Sequence, residues 1–397
     1  AMSYQWLRDG NPIILGGTLK DGVNGVDGLD AAFSMTVSSD GDHAYVTGKE
    51  DNAVSWYERN ATTGALTYIG MLKDGENGVD GLDGARSITL SSDGNHAYVA
   101  GFDDDAVSCF ERNTTTGALT YLGMLKDGVN GVDGLDGPIG LSISTDGNHL
   151  YVIGSYDNAV SWYERNSSTG VLSYGGVLKD GVNGVDGLDD PVSVTLSADG
   201  HYSYITGFSN RSVSWYERNS TTGALTYSGI LKDGVNGVDG LNGAEVVTLS
   251  PDQRHAYVTA KSDNAVSWYD RNATTGALTY GGLLKDGING VDGLDYPFGV
   301  IISADGKYAY ITGKNDNAVS WFLRNATTGA LTYVGMLKDG VNGVDGLNYA
   351  YSLTQSQEGN HVYVTGYSDD AINWFTRNLD TGALHYGQAS GTSYKTT

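Results

Sequence analysis

The sequence predicts an all-β fold: a seven-bladed β-propeller of four-stranded antiparallel blades, built on a 53-residue repeat. Three observations carry this. The stretch "KDGVNGVDGLD" at Lys20–Asp30 returns near-identically to make seven copies, whose first Asp falls at 21, 74, 127, 180, 233, 286 and 339, a constant spacing of 53. Each period holds four short runs rich in Val, Ile, Tyr and Thr, bounded by Gly, Asp and Asn. No segment carries a sustained helical period. A fixed period of this size signals a propeller or solenoid rather than separate domains. Four strands per unit select the propeller, whose radial repetition leaves only short edges.

The second period shows the elements in order. "RSITLS" opens as strand a and turns through "SDGN", where Asp-Gly supplies the positive φ of a tight hairpin, into strand b, "HAYVAG". "FDDD" links to strand c, "AVSCFER", and "NTTTG" turns into strand d, "ALTYLG". With strand a at the channel, the "KDGVNGVDGLD" stretch is the d–a connection. Antiparallel order then places all seven of these loops on one face, beside the seven b–c tips. Seven periods nearly exhaust the 397 residues, so residues 1–397 are expected to form a single domain. The N-terminal segment, residues 1–19, contains "YQWLRDGNPIILGG", which looks like a degenerate c–d pair and is expected to lie along the last blade and latch the ring.

Composition narrows the function. Against 23 bases stand 47 acids, a formal charge of −24. That balance argues against nucleic acid and anionic membranes, which select Lys and Arg, and favours cations or a neutral polar small molecule or glycan. No apolar run is long enough to insert into a membrane. The single cysteine, Cys109, excludes an internal disulfide and takes a slot that holds Trp in the other repeats, so a buried, inert thiol is expected. Residues 1–6, "AMSYQW", resemble a cloning remnant ahead of a mature fragment, so an export signal would already be missing; a monomer at the outside or surface of a bacterial cell is the expectation.

The pattern "HAYVTG…DNAVSWYERNATTGALTYIG" resembles the repeat of the seven-bladed lactonase-like propellers, the 6-phosphogluconolactonase-related group with YVTN-type units. The match runs through all seven repeats, where Tyr45, Tyr98, Tyr151, Tyr204, Tyr257, Tyr310 and Tyr363 hold one position. The resemblance implies the fold. It speaks less for activity, because the same repeat also serves non-enzymatic surface-layer and binding proteins. The "KDGVNGVDGLD" insertion is not part of the general pattern.

That insertion has a period of three. A locally extended path would align the Asp and Asn oxygens on one edge, the glycines on another and Val, Val, Leu on a third. Hard cations such as Ca2+ want six to eight oxygen ligands. The candidate metal set is Asp21, Asn24, Asp27 and Asp30; Asp74, Asn77, Asp80 and Asp83; Asp127, Asn130, Asp133 and Asp136. It continues with Asp180, Asn183, Asp186 and Asp189; Asp233, Asn236 and Asp239; Asp286, Asn289, Asp292 and Asp295; Asp339, Asn342 and Asp345. The competing reading is a self-satisfied turn, with Asp and Asn bonded to the loop's own amides and the repeated lysine as internal countercharge.

Differences among the repeats carry further information. Three residues after each loop, at the opening of strand a, stand Phe33, Arg86, Ile139, Val192, Glu245, Phe298 and Tyr351. The b–c tips read Lys49, Phe102, Ser155, Phe208, Lys261, Lys314 and Tyr367. Either this is drift at a permissive rim, or it is one asymmetric ligand-binding pocket with Arg86 and Glu245 as its charges and Phe33, Phe298 and Tyr351 beside them. His43, His96, His149, His255 and His361 recur after the "DG" turn on the opposite face, where packing accounts for them. Asn60, Asn113, Asn166, Asn219, Asn272 and Asn325 open N-x-[ST] sequons that read as turn residues.

Repetition dominates the chain. It favours a non-catalytic, multi-site binding or scaffold propeller with calcium or carbohydrate as ligand, and no catalytic residues. The alternative is a lactonase-like hydrolase with a single pocket at the channel mouth, Arg86 holding an anionic substrate and Glu245 or a loop Asp acting as base.

Overall fold

The computed structural model describes residues 7–8, 11–12 and 16–387; the rest of the N-terminal segment lies outside the described residues. Seven antiparallel sheets surround a central channel, and among the described residues there is no helix. In blade one, strand a is Ala32–Val37, b is His43–Gly48, c is Ala53–Arg59 and d is Leu66–Lys73. Blades two to six repeat this order, opening at Ala85, Pro138, Pro191, Ala244 and Pro297. Strand a of each blade faces strand a of its neighbours around the channel. Strand d runs on through the "MLK" residues that follow the predicted run, with a β-bulge between Trp56 and Tyr57 where it meets strand c.

Blade seven closes the ring from both ends of the chain. Ala350–Gln355, His361–Gly366 and Ala371–Arg377 supply strands a, b and c. The outer strand is Gly16–Lys20, paired antiparallel with Ala371–Phe375, so the C-terminal Leu384–His385 is held to two residues on the same strand. Leu7–Arg8 pairs with Asn11–Pro12 as a separate short hairpin.

The core lies between blades rather than within them. At the first seam, Tyr45, Val54 and Trp56 of blade one pack on Ile88, Val99 and Phe110 of blade two. The loop between the blades drives its own Val79 and Leu82 into this cluster. Cys109 is buried in the equivalent place one seam on, and burial pushes its thiol up to about 12, as expected of an inert packing residue.

Polar groups stitch the same seams. Arg112, at the end of strand c, donates to the Tyr45 phenol at 2.6 Å, to Asp40 at 2.8 Å and to the Gly94 carbonyl at 2.9 Å. Its Nη2 lies 3.0 Å from His43 Nδ1. The closing seam repeats the pattern: Arg59 meets the Tyr363 phenol at 2.6 Å and His361 at 3.2 Å. The recurrent histidines are therefore acceptors facing a guanidinium, and burial together with that charge lowers their pKa.

Candidate functional site

The seven loops are compact turns, not the extended three-per-turn path expected of their period. In the first, Val26 N–H donates to the Val23 carbonyl at 3.1 Å, with φ of 54° at Asn24 and 80° at Gly25. Positive φ at both central positions is the hairpin geometry for which Asn-Gly is selected. Asp21 accepts from the Leu29 amide at 3.0 Å, and the same eight-residue cap recurs at Asp74, Asp127, Asp180, Asp233, Asp286 and Asp339. Of the apolar edge, Val26 and Leu29 are buried while Val23 is exposed.

The candidate metal residues come together only in part. Two acids of a loop meet the b–c tip of the same blade, as in Asp21, Asp27 and Asp51, or Asp127, Asp133 and Asp157, with carboxylate oxygens within 4.8 Å. Asp30 and Asp136 are not in these groups. A lysine enters each cluster: Lys179 Nζ lies 2.8 Å from Asp133 and 2.7 Å from Asp157, and Lys20 lies 2.9 Å from Asp345. One oxygen capping the loop and an ammonium already among the carboxylates match the self-satisfied turn. The sequon asparagines are likewise turn caps, Asn60 Oδ1 accepting from the Thr62 and Thr63 amides at 3.0 Å.

The asymmetric positions behave differently. Phe33, Arg86, Ile139, Val192, Glu245, Phe298 and Tyr351 all line one cavity of about 400 Å³ at the channel mouth, joined by Phe102, Ser155, Phe208, Lys261 and Lys314 from the b–c tips. Five of the seven are held by a threonine of the preceding blade's strand b. Thr47 donates to the Arg86 carbonyl at 2.8 Å, Thr206 to that of Glu245 at 2.6 Å, and Thr259 to that of Phe298 at 2.6 Å. Thr312 does so for Tyr351 at 2.6 Å and Thr365 for Phe33 at 3.3 Å. Where that slot is Ala100 or Ile153, the residues 39 positions on are the aliphatic Ile139 and Val192. Every charged or aromatic strand-a residue is tied down, and neither aliphatic one is. Sequence reasoning missed this, although "YVTG" against "YVAG" and "YVIG" carried the signal.

Charge is concentrated here. Glu245 is only 3% exposed and receives Lys261 Nζ at 2.7 Å. Burial pushes its carboxyl up, against the pull of Lys261 and Lys314. Arg86 lies face-on over Phe102, 3.3 Å from the ring centroid, with Phe33 at 5.6 Å. Its buried Nε has no partner among the described residues, and burial lowers its guanidinium pKa. Arg86 and Glu245 are thus not the only charges at the mouth: Lys261, Lys314 and Asp190 share the cavity, the last accepting from Ser155 Oγ at 2.5 Å. Phe298, Tyr351 and Phe33 form one aromatic wall, with centroids 3.8 and 4.3 Å apart.

The protein is thus a seven-bladed propeller with a charged cavity at its channel mouth lined by blade-specific residues. The family described as Lactonase, 7-bladed beta-propeller matches residues 32–177 and 191–340, and the chain belongs to that family. No curated protein matches the sequence. Among solved structures, the periplasmic gluconolactonase of Pseudomonas aeruginosa is similar at 18% identity and TM-score 0.68, over 85% of this chain and 91% of that one. A candidate 6-phosphogluconolactonase from Bacteroides uniformis follows at 18% identity and TM-score 0.67, over 84% and 90%. Kuenenia stuttgartiensis hydrazine synthase shares the fold at 18% identity and TM-score 0.63, over 91% and 99%.

These findings correct the functional expectation. The family match points to the lactonase-like reading rather than to a non-catalytic multi-site binder of calcium or glycan, and the solved structures share the fold. Repetition misled because the repeated acids build loops and seams, whereas the informative residues are those that break the repeat.

Proposed function

We propose that the chain hydrolyses a lactone bearing an anionic group, of the gluconolactone type, at the channel mouth. The observation that carries this is Glu245: a nearly fully buried carboxylate, present in one blade only, opening onto the cavity beside two lysines. In this reading Glu245 takes a proton from a water that attacks the lactone carbonyl. The charge that develops on the carbonyl oxygen is met by the Lys261 ammonium group. The ring C–O bond breaks and the alkoxide recovers the proton from Glu245, so lactone and water give the open hydroxy acid. Arg86, with no carboxylate partner among the described residues, holds the substrate's anionic group in the opposite part of the cavity.

The test is acid release at constant pH from glucono-δ-lactone and from a phosphorylated counterpart, corrected for spontaneous opening. Turnover is expected to fall at least about a hundredfold in Glu245→Gln, the scale of a lost general base. Arg86→Met should raise KM for the phosphorylated lactone more than for the neutral one. Wild-type rates no faster than the spontaneous reaction with both compounds would refute the reading.

A further inference from the structure

We propose that Lys314 is a nucleophilic amine and that the channel-mouth cavity binds small aldehydes or keto acids through a reversible imine to its Nζ. Three lysines occupy equivalent b–c tips, and their surroundings separate them. Lys49 pairs with Glu50, and Lys261 pairs with Glu245 at 2.7 Å. Lys314 has no carboxylate within 4.0 Å among the described residues, although it is half-buried and lines the cavity.

What surrounds Lys314 instead is built from tyrosine. Its Nζ lies 4.4 Å from the ring centroid of Tyr349, 5.1 Å from Tyr296 and 5.2 Å from Tyr351. Tyr296 and Tyr349 stand where the loop meets strand a, with φ of 57° and 58°. The matching residues elsewhere are Ala31, Gly84, Gly137, Asp190 and Gly243. A bulky side chain at positive φ is uncommon and costs energy. Two consecutive blades carry that cost; Tyr296 lies between Lys314 and Lys261, 5.3 Å from the latter's Nζ, whereas Tyr349 faces Lys314 alone.

Burial and charge give the amine its chemistry. Burial is the main influence and lowers the Lys314 pKa. Glu245 and the rings favour the ammonium, the neighbouring Lys261 charge opposes it, and the net direction is downward from the ordinary amine value. An amine desolvated beside a second cation is a recognised route to a neutral, nucleophilic lysine. Its lone pair attacks the carbonyl carbon, the carbinolamine loses one water and a C=N bond replaces C=O, with no change of oxidation state. Arg86, across the same cavity, suits a carboxylate on the carbonyl compound.

The experiment is reductive trapping with glyoxylate and with glycolaldehyde, sodium cyanoborohydride supplying the hydride, read by intact mass and peptide mapping. A single early adduct at Lys314 is expected, forming about tenfold faster than at the exposed Lys307 for each unit by which the amine pKa is lowered. Lys314→Arg should remove that adduct. Lys261→Met should slow it, because loss of the neighbouring cation frees Glu245 to hold Lys314 as ammonium. Adducts spread over the lysines according to exposure, or an early adduct that survives Lys314→Arg, would overturn the proposal. Trapping is measured without lactone turnover, so this inference and the hydrolase reading fail separately.

Discussion

Glu245 owes its placement to a hydroxyl one blade away. Thr206 holds its backbone carbonyl at 2.6 Å, and Lys261 holds its carboxylate at 2.7 Å. Thr206→Val removes the first tie while conserving volume. A lost buried hydrogen bond costs about 0.5–1.5 kcal/mol, so the melting temperature should fall by only a few degrees. Sub-ångström drift of a catalytic group is costlier, and turnover should fall about tenfold with KM little changed. Steady-state kinetics beside a thermal scan check this, and equal losses in both would mark Thr206 as merely structural. In the proposed hydrolysis Glu245 also sets the acid limb of the pH profile. Burial raises its pKa, so activity is expected to appear only above the ordinary carboxylate range; Lys261→Met, which removes the main opposing charge, should move that limb higher. These residues were partly legible in the sequence. Arg86 and Glu245 stood out because neighbouring repeats made their slots comparable. Lys261 and Lys314 appeared only as variation at a tip, since nothing in the linear order places Lys261 against strand a of its own blade, at Glu245, or Lys314 against that of the next, at Tyr351.

The element that repeats most visibly, the loop, is held by its own hydrogen bonds and buried apolar side chains, and polar ties hold the seam beneath it. Each loop is a turn capped by its first Asp, with a Val and a Leu as core residues; Leu135→Ala should cost about 2–5 kcal/mol by opening a cavity at a seam. The arginine that ends every strand c had no assigned role from sequence, because its partners, Tyr45, Asp40 and His43 for Arg112, lie 67 to 72 residues away. Those partners fix the pH response. The seam histidines have folded pKa values below the ordinary imidazole value of about 6.5, and that of His361 falls to about 4. A depressed histidine stabilises the fold while neutral, fully above its unfolded pKa, and the contribution is lost as pH falls below about 6.5. Asp93 is lowered to about 2, chiefly by Ser91, Asn95 and Arg165 against the effect of burial, so its share is lost below about pH 4. The melting temperature should therefore be level near neutrality and decline in acid from about pH 6.5 downward. Tyr202 and Tyr308 take the histidine slot in blades four and six, so His43→Tyr should flatten the upper part of that decline. A curve level down to pH 4 in the wild type would contradict this account.

For the whole molecule, closure and cavity share one seam. The repeat made the ring and its blade count legible, but not which strand completes blade seven, since two segments at opposite ends of the chain compete for the same edge. Gly16–Lys20 takes it, with five residue pairs against Ala371–Phe375, and Thr18 Oγ1 lies 2.8 Å from the Tyr386 phenol. At Gly17 the strand passes so close to Trp374 that an added Cβ would come within 2.4 Å of its ring. Gly17→Val should therefore expel the strand and expose the edge of strand c, a template for association. The effect should reach the chemistry, because the next seam round from that edge is where blade seven meets blade one. There Phe33 and Tyr351 pack across the closure, tilted by 49° with centroids 4.3 Å apart, as part of the cavity wall. The variant is expected to melt lower and to associate with rising concentration. Lactone turnover, measured along the same temperature ramp, should disappear together with the tryptophan fluorescence transition. Unchanged melting in Gly17→Val would show that the short Leu384–His385 strand closes the ring without help from the N-terminal end.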